Sequence, residues 1–387
     1  MTELTPGNRL TLLKNGAEYF PALEAAIDQA RREIFLESYI FESDTTGRRI
    51  AEALKRSARR GVTTHLLLDG FGSKSLPPSL VGELRAAGVQ VLFFRPDVAF
   101  RLRRHRLRRL HRKIAVIDTR IAFVGGINII DDMDTPGQVP PRYDYAVAVE
   151  GPLLAEIHHS TRHLWGLISW FQLKKRRSRS QRTVLPMVPR GGVEAAFVRR
   201  DNIRHRRDIE EAYLEAISAA RKEVIIANAY FLPGRRFRQA LIQAAARGVR
   251  VVLLLQGRVE YFLLHYASRA LYGVLLDAGI EIYCYDRSFL HAKVAVVDGR
   301  WATVGSSNID PFSLMLAREA NIVARDAAFA GALRDSLWQA IGAGAHRIAP
   351  ERWKQQPLYS RFLAWASYGA VRFVMGMAGY ARRYEEA

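Results

Sequence analysis

The tract LHRKIAVIDTRIAFVGGIN, beginning at Leu110, is written again as LHAKVAVVDGRWATVGSSN, beginning at Leu290. A chain that repeats a unit of this length has to build two similar substructures and bring them together. The positions that recur are chemical ones: His111, Lys113, Asp118, Gly125 and Asn128 reappear at the same spacing as His291, Lys293, Asp298, Gly305 and Asn308. Two imidazoles and two ammonium groups from two copies of one unit point to a single anion site on a pseudo-twofold axis. The natural anion is a phosphodiester.

The repetition extends beyond the motif. AAIDQARREIFLESYIF (25–41) parallels AISAARKEVIIANAYF (216–231), and ALKRSARRGVTTHLLLD parallels ALIQAAARGVRVVLLLQ, with Gly61 and Gly248 placed as helix C-caps. LRAAGVQVLFF and LLDAGIEIYCY close the two series. Strands alternating with helices predict an α/β chain of two duplicated α/β/α sandwich domains, each bringing its motif strand to a shared seam. The expected division is a first domain over 1–180, a second over 190–350 and a carboxy-terminal segment over 351–387, with the boundary in the basic run KKRRSRSQR and the prolines Pro186 and Pro189. The halves differ in what precedes each motif. The first inserts the arginine-dense FRLRRHRLRR (100–109) and the second EYFLLHYASRALYGVLL, and both insertions are expected to overhang the site.

Lys plus Arg number 58 against 38 Asp plus Glu, a net charge of +20, so the partner should be polyanionic, either nucleic acid or an anionic membrane. Cys284 is the single cysteine, which excludes an internal disulfide and a cysteine-rich zinc centre. The amino-terminal residues lack a secretory pattern, and nothing before Lys113 is apolar for the ~18 residues a span needs. The expectation is a protein on the cytosolic side.

In HRKIAVID the apolar residues form a buried strand, and His111 and Lys113, two apart, share a face. The Gly-Gly or Gly-Ser turn that follows brings an Asn back toward it. The doubled H-x-K-x4-D-x6-G-[GS]-x-N pattern resembles the defining motif of the phospholipase D superfamily. That resemblance implies a metal-free, cofactor-independent, two-step displacement at phosphorus: one histidine forms a covalent phosphohistidine, and the other protonates the departing alkoxide and then activates the incoming hydroxyl. The catalytic motif residues are then His111, Lys113, Asp118, His291, Lys293 and Asp298, with the two aspartates read as holding the turn. Asn128, Asn308, Gly125 and Ser306 are the expected substrate-binding positions. Asp144 and Glu319 are the acids expected to orient the histidine of the opposite half, Asp144 with His291 and Glu319 with His111. The superfamily pattern leans to His111 as nucleophile.

The motif does not name a substrate, because lipases, phosphatidyl transferases and nucleases share it. FLAWASYGAVRFVMGMAGY (362–380) has Arg372 as its one charge. On a helical wheel Arg361, Trp365, Tyr368, Arg372 and Arg383 fall on one side, with Leu363, Ala370, Val374 and Met377 opposite. This fits a helix lying in a membrane interface, or one docked on the second domain. GGIN and GSSN, the tract ASRALYGVLLDAGIEIYCYD and NIDPFSLMLAREANIVARD make the chain similar to the bacterial cardiolipin synthase family, in its short form without amino-terminal membrane helices. The resemblance implies transfer of a phosphatidyl group between two phosphatidylglycerol molecules with release of glycerol, at the cytoplasmic face of the inner membrane as a peripheral protein. Nucleic acid becomes the disfavoured partner, and no oligomer is required to complete the site. A phospholipase D-type phosphodiesterase, acting on lipid or nucleic acid, is the alternative.

Overall fold

Short runs of β-branched and leucine residues between amphipathic helices give each half the same order of elements, because each such strand can hide both faces only under helices. The computed structural model describes residues 2–95, 108–135, 139–173, 188–201, 204–259 and 261–377. The first half runs β1 (Thr5–Lys14), α1 (Asn15–Asp28), β2 (Glu33–Ser38), α2 (Thr45–Arg59), β3 (Thr63–Asp69), α3 (Pro78–Ala86), β4 (Gln90–Phe94), β5 (Lys113–Ile117), β6 (Ile121–Gly125), β7 (Tyr145–Glu150) and α4 (Leu154–Leu173). The second runs β8 (Val193–Arg200), α5 (Asp208–Ala219), β9 (Glu223–Asn228), α6 (Arg235–Ala246), β10 (Arg250–Gln256), α7 (Phe262–Arg269), α8 (Tyr272–Asp277), β11 (Glu281–Tyr285), β12 (Lys293–Val297), β13 (Trp301–Gly305), α9 (Pro311–Met315), β14 (Glu319–Arg325) and α10 (Ala327–Gly344). β15 (Ala345–Arg347), α11 (Pro350–Lys354) and α12 (Leu358–Met377) follow.

The strand order is β4-β3-β2-β5-β6-β7-β1 in one half and β11-β10-β9-β12-β13-β14-β8 in the other, joined where β1 pairs antiparallel with β8. The seam of the sheet is therefore β1 against β8 and not the motif strands, which lie inside each half. The outermost strands of the two halves each offer an unpaired edge, and pairing the edges satisfies both. The motif segments meet beyond the strands instead, through two symmetric parallel bridges, Leu110 with Arg318 and Tyr143 with Leu290.

The layers follow the repeat. One core, around Leu23, Ile27, Ile50 and Leu54, packs α1 and α2 on the first half, and another, around Ile217, Leu241 and Leu275, packs α5, α6 and α8 on the second. A third core on the opposite face is shared by both halves, from Leu154 and Ile157 of α4 to Leu333 and Leu337 of α10. Each fully buried Leu or Ile contributes about 1.5 to 3 kcal/mol, so the shared layer ties the halves together. In α2 the Asp44 side chain caps the helix by accepting from Gly47 N–H at 2.7 Å. Gly61 and Gly248 stand just past α2 and α6 at φ +88° and +84°, the left-handed conformation that a C-terminal turn requires.

The basic run expected at the boundary and the arginine-dense insertion lie largely outside the described residues. The carboxy-terminal helix docks on the second half. Ala364, Ser367, Val371 and Met375 are buried, whereas Phe362, Trp365 and Phe373 are 75%, 60% and 66% exposed. The exposed face thus lies between the two sides of the predicted wheel. A helix with one packed stripe displays the opposite one, and here that stripe is aromatic with Arg361 and Arg372 along its edge. Among the described residues no helix is long and apolar enough to cross a membrane.

Candidate active site

β2 and β5 are antiparallel, as are β5 and β6, and β6 and β7. Antiparallel neighbours put the end of β2, the start of β5, the end of β6 and the start of β7 at one edge of the sheet. The second half repeats this with β9, β12, β13 and β14. Around these ends lies a cavity of about 270 Å³ whose wall contains His111 and His291, Asn128 and Asn308, Asp144, Arg109, Arg142, Tyr39, Tyr230 and Tyr261.

Each histidine is held by an acid of the opposite half. His111 Nδ1 lies 2.9 and 3.0 Å from the two oxygens of Glu319, and His291 Nδ1 lies 2.6 Å from Asp144 Oδ2. The backbone repeats the crossing: His111 N–H donates to Arg318 O at 3.0 Å and His291 N–H to Tyr143 O at 2.9 Å. With Nδ1 engaged by a carboxylate, Nε2 is the nitrogen left to each ring for chemistry. Neither lysine is among the residues of the cavity wall. Lys113 Nζ donates to His111 O at 2.7 Å, and Lys293 Nζ donates to His291 O.

Burial dominates the electrostatics. It pushes the His111 imidazole below its ordinary value, against the opposing charge of Glu319. It pushes His291 well below, with Lys293 acting in the same direction. Burial also lowers the Lys113 ammonium to about 7 and raises the Asp144 carboxyl to about 7. At 2.6 Å, His291 Nδ1 and Asp144 Oδ2 are close enough to hold one proton between them.

The acids differ in their other contacts. Fully buried Glu319 also accepts from Ser306 Oγ at 2.5 Å. Asp144 accepts from Tyr145 N–H at 2.7 Å. Gly126, the counterpart of Ser306, has no room for a side chain, since a Cβ there would stand 2.4 Å from Asp144 Oδ1. Ser306 thus serves the acid rather than the cavity wall.

Gly125 is likewise not at the wall: a Cβ would stand 2.5 Å from Ala146 Cα, so this glycine permits β6 to close on β7. Asn128 and Asn308 do reach the cavity; Asn128 Oδ1 accepts from Ile40 N–H at 3.2 Å, and Asn308 Nδ2 donates to Ser313 Oγ at 3.4 Å.

Asp118 and Asp298 stand at the opposite edge of the sheet, one five-residue strand away, which at about 3.3 Å per residue is about 16 Å. Grouped by sequence with the catalytic motif, they touch none of the cavity. Asp118 accepts from the N–H groups of Arg31, Arg32 and Glu33 at 2.7, 2.8 and 2.9 Å. Asp298 does the same with Arg221, Lys222 and Glu223 at 2.8, 2.7 and 2.9 Å. They fix the entry to β2 and β9, the strands beside the motif strands. Burial would raise the Asp298 carboxyl, and these donors outweigh it and hold it low.

Sequence reasoning did not single out Tyr39, Asp132 or Arg142. The Tyr39 ring meets His111 edge-on at 4.8 Å, and Lys113 Nζ lies 5.4 Å from its centre. Tyr39 follows a strand in a run already quoted, but its counterpart is Ala229, so the repeat gave no signal. The insertion of the second half supplies α7, and Tyr261 and Leu264 from this region reach the cavity wall. Among the described residues no group of three or more His, Cys, Asp or Glu could hold a metal ion.

A family profile described as "Cardiolipin synthase, PLD-like domain" matches residues 23–137 and 213–341. The chain is 44% identical over 333 residues to Cardiolipin synthase B of Salmonella typhi, covering 86% of this chain and 80% of that protein. It is 42% identical over 344 residues to Cardiolipin synthase B of Escherichia coli K12, covering 88% and 82%. In fold it is similar to the phosphatidylserine synthase of Haemophilus influenzae, with a TM-score of 0.69 at 12% identity over 95% of this chain and 94% of that one.

Proposed function

The chain belongs to the cardiolipin synthase family with phospholipase D-like domains, and we propose that it joins two phosphatidylglycerol molecules through a phosphohistidine formed on His111. The protein is a phosphatidyltransferase of the phospholipase D type. The observation that carries the finer reading is the crossed pairing of the two histidines with Glu319 and Asp144 at one cavity.

In the first step His111 Nε2 attacks the phosphorus of one phosphatidylglycerol. The P–N bond forms as the P–O bond to glycerol breaks, and the proton shared by His291 and Asp144 passes to the glycerol oxygen. Glu319 stabilises the positive charge gained by the His111 ring. In the second step a hydroxyl of another phosphatidylglycerol gives its proton to His291 and attacks the phosphorus, and the P–N bond breaks. The Asn128 and Asn308 amides can donate to the nonbridging oxygens, while Lys113 and Lys293, anchored on the His111 and His291 carbonyls, supply positive charge close by as negative charge builds on them. All these groups come from one chain, so no second copy is needed.

The membrane is the partner surface. A cavity of about 270 Å³, at the low end of small-ligand pockets, takes a headgroup and a phosphodiester but not four acyl chains. Those chains have to stay in the bilayer, and the aromatic face of α12 with Arg361 and Arg372 suits an anionic interface. These two features support a peripheral membrane protein, and the cytoplasmic face of the inner membrane belongs to the same proposal.

The purified protein incubated with phosphatidylglycerol vesicles tests the reading. Cardiolipin with equimolar glycerol is the expected product. Phosphatidic acid alone would make it a hydrolase, and cleavage of DNA without lipid turnover would refute the lipid assignment.

A further inference from the structure

Resting on the transfer reaction proposed above, we propose that Asp132 and Arg142 form the acceptor subsite: Asp132 receives the glycerol hydroxyls and Arg142 the non-reacting phosphate of an anionic lipid. The repeat makes the two sides of the cavity comparable. Asn128 aligns with Asn308, so Asp132 corresponds to Phe312, and Arg142, two before the orienting acid Asp144, corresponds to Ala317. All four line the cavity. Beside His111 these positions are apolar, and beside His291 they are an acid and a base.

The polar pair is built into the fold. Arg142 N–H donates to Asp132 O at 3.0 Å. Its guanidinium lies 4.9 Å from the centre of the Phe289 ring, two residues before His291, and its Nη2 donates to Asp134 O at 3.3 Å. Its Nε is buried without a hydrogen-bond partner, a donor that a ligand oxygen would satisfy. Asp132 is 7% exposed, and its Oδ2 accepts from Gly16 N–H.

The reaction itself demands such a pair on this side. Attacking and leaving oxygens lie roughly in line through phosphorus. If phosphorus is bonded to His111, both the departing glycerol and the incoming hydroxyl stand on the His291 side. The acceptor then breaks its O–H bond, giving the proton to His291 while its oxygen bonds to phosphorus and the P–N bond to His111 breaks. Its own phosphate lies one glycerol unit further out and keeps its negative charge. Among the described residues that line the cavity, the permanently charged cations are Arg109 and Arg142. Arg109, 4.9 Å from the Phe71 ring centre, belongs to the segment that leads into His111, whereas Arg142 lies against Phe289, which leads into His291.

The phosphohistidine partitions between lipid acceptor and water, so the ratio of cardiolipin to phosphatidic acid reads the acceptor subsite independently of how fast the intermediate forms. With phosphatidylglycerol vesicles, Arg142→Ala should lower that ratio at least tenfold, Arg142→Lys should recover part of it, and Asp132→Asn should lower it as well. Circular dichroism identifies any variant that fails to fold, and Arg142→Gln then serves in place of Arg142→Ala. A ratio within twofold of the unmodified protein would overturn the assignment, as would an equal fall in Arg109→Ala. If the unmodified protein makes no cardiolipin, the transfer reaction itself is wrong and this subsite falls with it; normal cardiolipin with an unmoved ratio removes only the subsite.

Discussion

Replacing Glu319 by Gln tests the crossed wiring of the site most directly, because the change is almost isosteric and its target histidine belongs to the other half of the chain. Glu319 is fully buried, with His111 Nδ1 at 2.9 and 3.0 Å and Ser306 Oγ at 2.5 Å. In the transition state for attack His111 gains positive charge, and the carboxylate is the group opposing it at contact distance. A hydrogen bond to a charged group is worth about 1.5 to 3 kcal/mol, which at 1.36 kcal/mol per decade is about 10- to 150-fold in rate. The amide adds a second penalty. If its NH2 group turns toward Nδ1, the ring must take the other tautomer and leave the proton on the attacking nitrogen; the same change in a serine-protease triad costs about 10⁴. The Ser306 hydroxyl can accept from the amide and permit the better orientation, so a fall in kcat/KM of about 10² to 10³ is expected, with Tm within a few degrees. The assay is glycerol release from phosphatidylglycerol vesicles, with circular dichroism as the folding control. A loss below about threefold with the fold intact would show that Glu319 does not serve His111 during turnover.

The pH dependence follows from Asp144 raised to about 7 and Lys113 lowered to about 7, both by burial. As pH rises through this range the Asp144–His291 pair loses the proton it donates and Lys113 loses its charge, so kcat/KM should fall on the alkaline side; a flat profile between about pH 6 and about pH 9 would contradict this. Gly126→Ala places a methyl 2.4 Å from Asp144 Oδ1 and should displace the acid from His291, lowering turnover at least tenfold with little loss of Tm, whereas wild-type rates would show that the carboxylate can move freely. Phe362→Asp, at a residue 75% exposed, removes about 1.5 to 3 kcal/mol of burial into an interface. It should weaken flotation with phosphatidylglycerol vesicles about 10- to 100-fold while leaving the protein folded, and undiminished flotation would dismiss α12 as the contact.

Much of this was legible because the duplication carried its own alignment. The motif strands, the glycines closing α2 and α6, and the acids Asp144 and Glu319 all stand in segments that match between halves. The seam was not legible. β1 is half exposed and alternates irregularly, so nothing local marks it as the strand that meets β8. Gly125 and Ser306 read as substrate contacts because they flank Asn128 and Asn308. Only the closeness of β6 to β7, and of Ser306 to Glu319, shows that they shape the site from behind. Arg142 and Asp132 were invisible for the opposite reason. They differ from their counterparts, and a search for repetition passes over the positions where the halves part.

The exchange of acids between the halves has a consequence for how such a chain can change. On the proposed mechanism neither half owns a working catalytic unit, since each histidine is hydrogen-bonded to a carboxylate encoded on the far side of the linker. Separated halves should therefore be silent alone and recover only on reassembly. A lesion in one half is felt as a defect in the other. The rim carries no such mutual dependence, and it is there that Phe312 occupies the place of Asp132 and Ala317 that of Arg142 in the other half, leaving specificity free to drift while the chemistry stays locked.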